Sequence, residues 1–194
     1  PPTGFLALCT SNLPDATVIP SEHFNTVLWT ASGSANQAIT GVGFQPSFNW
    51  IKDRTGNSHH LFDAVRGAGE RLMSDQTSAE STVNSHTAFN TDGFTLGAVG
   101  TGISVSGNSH VAWNWKANGS GSSNTNGSIN STVSANVDAG FSIVSWTGTT
   151  ATTATIGHGL SKAPEMFIFK PRNASDNWMT YQKTLGNGVN SAIY

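Results

Sequence analysis

The stretch from Phe24 to about Gly69 recurs, diverged, from Phe141 to about Gly188. The first copy reads FNTVLWTASGSANQAITGVGFQPSFNWIKDRTGNSHHLFD and the second FSIVSWTGTTATTATIGHGLSKAPEMFIFKPRNASDNWMTY. Phe24 and Trp29 match Phe141 and Trp146, and Ile39 falls on Ile156 at the same offset. After a short insertion, Pro46, Lys52 and Arg54 fall on Pro164, Lys170 and Arg172. A period of roughly 117 residues is far too long for a solenoid repeat or a propeller blade and matches a whole small β domain. The chain therefore reads as tandem domains. The first copy runs on through RLMSDQTSAEST, TAFNTDGFTLG and HVAWNWKA, whereas the second reaches only Tyr194. The expected organisation is a linker from an upstream domain over 1–20, a first β-sandwich module over 21–117, a Gly/Ser/Asn linker over 118–128 and an incomplete second module over 129–194. A sheet left open in this way exposes unpaired edges, which further polypeptide or other subunits must satisfy.

Period-two alternation is clearest from His110 to Lys116, where Val111, Trp113 and Trp115 face one way and Ala112, Asn114 and Lys116 the other. Residues 26–30, 47–52, 93–96, 142–147 and 166–170 are further strands, rich in β-branched and aromatic residues. In the last of these, Met166, Phe167, Ile168 and Phe169 leave no polar face, so both sides are expected to be covered. Helical periodicity is poor throughout, and the one short helix the pattern allows lies around His60 to Arg66. Gly, Asn, Ser and Thr clusters separate the strands and suit turns. The fold class is all-β, a sandwich or jelly roll.

Charged residues make up 10% of the chain and the formal net charge is -2, so no nucleic-acid footprint or membrane-surface patch is visible. No apolar stretch is long enough to span a bilayer. The lone Cys9 excludes an internal disulfide framework and reads as a small buried filler. A start at Pro1-Pro2, with neither Met nor a signal pattern, reads as a piece of a longer polypeptide.

Convergent acids, bases or nucleophiles are few. Asp53, Asp63, Glu70, Asp75 and Glu80 cluster in sequence, but their spacing fits no defensible calcium loop or paired-carboxylate site, and they read as surface acids, some paired with Arg54, Arg66 or Arg71. His59 and His60 are adjacent on a strand and point to opposite faces, so they cannot readily share an ion. His158 is expected to hydrogen-bond a turn. GAVGTG at 97–102 lacks the dinucleotide spacing and reads as turn glycines. No catalytic, metal or cofactor residue is assigned. Among six tryptophans, Trp29 and Trp146 recur and read as packing residues, and Trp50, Trp113 and Trp115 as core. Trp178, in NASDNWMTY, is the one expected to be exposed and to contact a ligand or a neighbouring subunit.

TGFLALCTSNLPDATV, FQPSFNWIKDRTGNSHHLFDAVRG, TAFNTDGFTLG, HVAWNWKA and GFSIVSWTGTTATTATIGHGLSKAPEMFIFK resemble a tandem module of bacteriophage tail-fibre and virion proteins, notably of aquatic phages including cyanophages. The similarity covers nearly the whole chain. It implies concanavalin-A or laminin-G type jelly rolls and a non-enzymatic, structural and adhesive role at the virion surface. Assembly as a homotrimer with other virion proteins, and a host-surface glycan or protein as target, follow from the same resemblance. It supplies no catalytic residue.

Three readings remain open: a fibre component that binds host sugars, a purely architectural connector, capsid decoration or baseplate-attached stalk, and a depolymerase tailspike. The last requires two carboxylates about 5 to 10 Å apart in a groove.

Overall fold

The computed structural model describes Thr3, residues 18–97 and 102–184, and the backbone of Ala192–Ile193. Cys9, the start of the chain and most of the 97–102 glycine run lie outside the described residues.

The first copy folds into two facing antiparallel sheets. Its larger sheet contains β1 (Phe24–Thr30), β3 (Phe48–Asp53), β4 (His59–Asp63), β5 (Gly67–Leu72), β6 (Ser81–Thr82) and β9 (Ser109–Trp115), in the order β1-β9-β3-β4-β5-β6. The smaller contains β2 (Gln37–Thr40), β7 (His86–Asn90) and β8 (Gly93–Leu96), in the order β2-β8-β7. Between them lie Val27, Ile51, Phe62 and Ala112 from the large sheet, Ile39, Phe94 and Leu96 from the small one, and Val42, Phe44 and Ile103 from loops. This is an all-β sandwich, as the strand spacing predicts. Within the small sheet β2 and β8 approach so closely at the turn into β8 that a Cβ on Gly93, at φ 139°, would stand 2.0 Å from the Ile39 carbonyl oxygen.

Cross-strand register decides which side of each strand is the core. Trp113 lies opposite Thr26 and Trp50, whereas Ala112 lies opposite Val27 and Ile51. The face carrying Ala112, Asn114 and His110 is therefore the inner one, and those three residues are buried. Trp50, Trp113 and Trp115 are correspondingly half-buried on the outer face, not core as the alternation suggested. The sequence 60–66 is not a helix: His59–Asp63 is a strand paired with β3 on one side and β5 on the other, and Asp63 Oδ1 then accepts from the amides of Val65 and Arg66 to close a turn.

The second copy begins inside the expected linker. Ser122–Asn124 forms β10, which pairs with β11 (Ser131–Asn136), and β11 pairs with β12 (Phe141–Trp146). A separate sheet holds β13 (Met166–Phe169), β14 (Met179–Gln182) and β15 (Ala192–Ile193). Register repeats along with sequence: Phe48 faces Asp63 and Leu61 faces Leu72 in the first copy, while Met166 faces Gln182 and Thr180 faces Ile193 in the second. The expectation that β13 is covered on both sides fails. Met166, Phe167 and Ile168 are 54%, 44% and 48% exposed, because no second sheet packs over them among the described residues.

Candidate functional site

Local chemistry first shows where the ionisable groups are spent. Asp53 and Asp63 are buried rather than on the surface. Burial works to raise the Asp53 pKa, but donation from the Thr55 hydroxyl and amide and from the Asn57 and Asn108 side chains outweighs it and holds the carboxyl well below its usual range. His59 and His60 indeed part: His59 Nδ1 accepts from Trp50 Nε1 at 2.8 Å on the outer face, and His60 is buried within. His86, stacked on Phe62 at 4.7 Å, is lowered to about 4 by burial, against the Ala68 carbonyl that raises it. His158 Nδ1 accepts from the Leu160 amide in its turn. Among the described residues, no three His, Cys, Asp or Glu side chains converge as a metal site.

The two copies meet at an ionic and aromatic junction. Arg66 pairs with Asp63 and donates Nη1 to Glu80 at 2.9 Å. From the second copy, Arg172 places Nε and Nη2 on the same Glu80 carboxylate at 3.0 and 2.6 Å. Burial raises the Glu80 pKa, but the bonds from Arg172 and Arg66 prevail and lower it. The main chain joins in, as Glu80 N donates to Arg172 O at 2.8 Å and Asp176 N to Thr77 O at 2.9 Å.

Trp178 lies on this junction. Its Nε1 donates to Met73 O at 2.9 Å and Gln76 O at 3.1 Å, so the half-buried indole grips a loop of the first copy. Beside it, residues 74–78, Asn177 and Trp178 line an open depression of about 550 Å³. A second seam stacks Phe141 on Trp115 and tilts it against Phe48, with ring centroids 6.1 and 6.3 Å apart. Asn136 Nδ2 adds a bond to Lys116 O.

On the outer face of the second copy, Ser123, Thr132 and Ser145 stand opposite one another across β10, β11 and β12. Arg172 closes the row by donating Nη1 to Ser145 Oγ at 3.1 Å. With Trp146 and Thr147 these residues line a polar groove of about 280 Å³. Trp146, which pairs with Ser131 and so turns to the opposite face from Ser145, is 38% exposed, although its match to Trp29 had suggested packing. Trp29 sits against the sandwich core and stacks on His110 at 5.2 Å, a cover Trp146 lacks.

Residues 19–193, spanning both copies, match the model of a domain of unknown function, DUF7483. The chain belongs to the DUF7483 family. No curated protein and no solved structure matches it. The DUF7483 match treats the two copies and their junction as one stretch, in keeping with the contacts that tie them. Sequence reasoning singled out Trp178 and missed the groove, whose only signal was the hydroxyl-rich stretch through β10 and β11. A row of serines and threonines acquires meaning only when strand pairing aligns it.

Proposed function

We propose that this DUF7483 chain is a non-enzymatic segment of a bacteriophage tail-fibre or virion surface protein, built from jelly-roll type modules, that binds host-surface glycan in the polar groove across β10, β11 and β12. One observation carries the reading: the Ser123, Thr132 and Ser145 hydroxyls align across three strands beside an Arg172 guanidinium fixed by Glu80. Convergent neutral donors and acceptors suit a saccharide, and an anchored guanidinium adds charge for an acidic one. The acids support a non-enzymatic role, because Asp53 and Glu80 are both consumed by structural donors. The virion setting and a homotrimeric assembly rest on the sequence resemblance.

The test is an array of bacterial envelope saccharides probed with the full chain, its assembly state established by light scattering, and with Thr132→Val. Binding that drops at least about tenfold in the variant, at unchanged melting temperature, is the expected result. Silence across the array from the folded trimer ends the glycan reading. A purely architectural role is favoured by a different feature, the exposed apolar strand β13, which asks for cover and not for sugar.

A further inference from the structure

Strand β13 ends its sheet, and the internal repeat shows what belongs beside it. In the first copy, β3 lies between β9 and β4. Ala64 N donates to Ser47 O on the β4 side and Arg54 N to Ser109 O on the β9 side. Antiparallel pairing alternates, so Asn49 and Ile51 turn their main-chain groups to β4, and Phe48, Trp50 and Lys52 turn theirs to β9. The second copy keeps half of this arrangement. Lys183 N donates to Glu165 O, the counterpart of the Ala64 bond, so Phe167 and Phe169 turn to β14. Met166, Ile168 and Lys170 turn their N–H and C=O groups to the edge that β9 fills in the first copy, where no strand is paired among the described residues.

Side chains match the edge. Phe167 stacks on Tyr181 at 4.7 Å and lies 6.1 Å from Phe169, forming on one face an aromatic patch where the first copy has Asn49, Phe62 and Ile51. Met166 and Ile168 are about half exposed on the other face, where Phe48 and Trp50 pack against Trp115 and Trp113. An open edge flanked by apolar residues on both faces is a template for an added strand.

We propose that β13 is the acceptor edge for a strand of β9 type, donated by another copy of this repeat. The occupant is specified by β9 itself: small and amide side chains such as Ala112 and Asn114 at alternate positions, with bulky residues such as Val111, Trp113 and Trp115 between them. Its main chain bonds Met166, Ile168 and Lys170, and its indoles cover Met166 and Ile168 as Trp115 and Trp113 cover Phe48 and Trp50.

The probe is a fluorescent peptide of residues 108–117, NSHVAWNWKA, titrated into the full chain beside a scrambled peptide of the same composition. Saturable binding that weakens at least about tenfold on scrambling is expected. Ile168→Pro removes one edge-facing N–H while leaving the bonds to β14, and is expected to abolish binding. Residue-resolved amide exchange of the unmutated chain gives a second readout that needs no variant. Peptide should slow exchange at Met166, Ile168 and Lys170 and leave Phe167 and Phe169 unchanged. Equal binding of both peptides, no binding up to about 1 mM, or protection without this alternation would overturn the assignment.

Discussion

Across the buried seam between β3 and β9, the Asn49 side-chain amide donates to the Asn114 carbonyl oxygen at 2.6 Å. Asn114 in turn donates to Asn25 O at 3.0 Å and Ala112 O at 3.1 Å, and Asn49 Oδ1 lies 2.9 Å from His86 Nε2. Both asparagines are fully buried. Polar groups are tolerated in such a place because each amide hands its hydrogen bond to the next, fixing how β1, β3, β7 and β9 meet.

Asn114→Ala leaves the Asn49 amide and the Asn25 carbonyl without their partner in a dry interior. A loss of about 2 kcal/mol is expected in urea unfolding at unchanged m-value. The Asn49→Ala, Asn114→Ala double variant should lose less than the sum of the singles. Additive losses would show that the two amides do not act as a unit.

Acid should weaken the sandwich through His60. Burial, followed by the nearby Arg71 charge, lowers its pKa from 6.5 to about 4. The unfolded chain therefore takes up this proton as the pH falls through 6.5, while the folded chain resists until about 4. Stability from the neutral ring is complete above the first value and is lost toward the second, by up to about 3 kcal/mol. His60→Leu should flatten the stability profile between pH 7 and 4.5, as read by chemical unfolding. An unchanged slope would assign the acid sensitivity to another group.

Glu80 joins the two copies, so Glu80→Ala should loosen their junction before either sheet melts. Arg172 is 42% exposed at its side chain, and solvent screening limits the expected loss to about 1 kcal/mol. Calorimetry should show the transition broadening or splitting, and added salt should move the unmutated chain the same way. A single unshifted transition would mean that the aromatic seam at Phe141 suffices.

Trp178→Phe keeps a ring on the 73–78 loop but removes the donor to Met73 O and Gln76 O. Faster amide exchange in that loop is expected, with loss of roughly 1 kcal/mol. Altered glycan binding with unchanged exchange would instead make Trp178 a ligand contact.

Strand existence was legible wherever alternation or β-branched and aromatic runs were strong, as in β1, β3, β8, β9 and β12. Which face of β9 is the core was not. Val111, Trp113 and Trp115 carry the hydrophobicity, yet Ala112 and Asn114 point inward. Sequence hydrophobicity cannot show that the interior has room for small residues, or that the amides will find partners there. Likewise β13 reads as a strand apolar on both faces, and only the assembled sheets show that its cover is absent among the described residues.

The candidate site divides in the same way. Residue types and spacing were sufficient to place His59 and His60 on opposite faces of a strand. They could not bring Glu80 to Arg172, nor align Ser123, Thr132 and Ser145 into one row. By itself, then, the sequence determined the all-β plan, because period-two patterning is a local property of the chain. Tertiary structure alone decided the inward amides, the docked Trp178 and the edge of β13, unpaired among the described residues. Each depends on register and on which distant segments supply hydrogen-bond partners, and these are fixed only when the sheets pack.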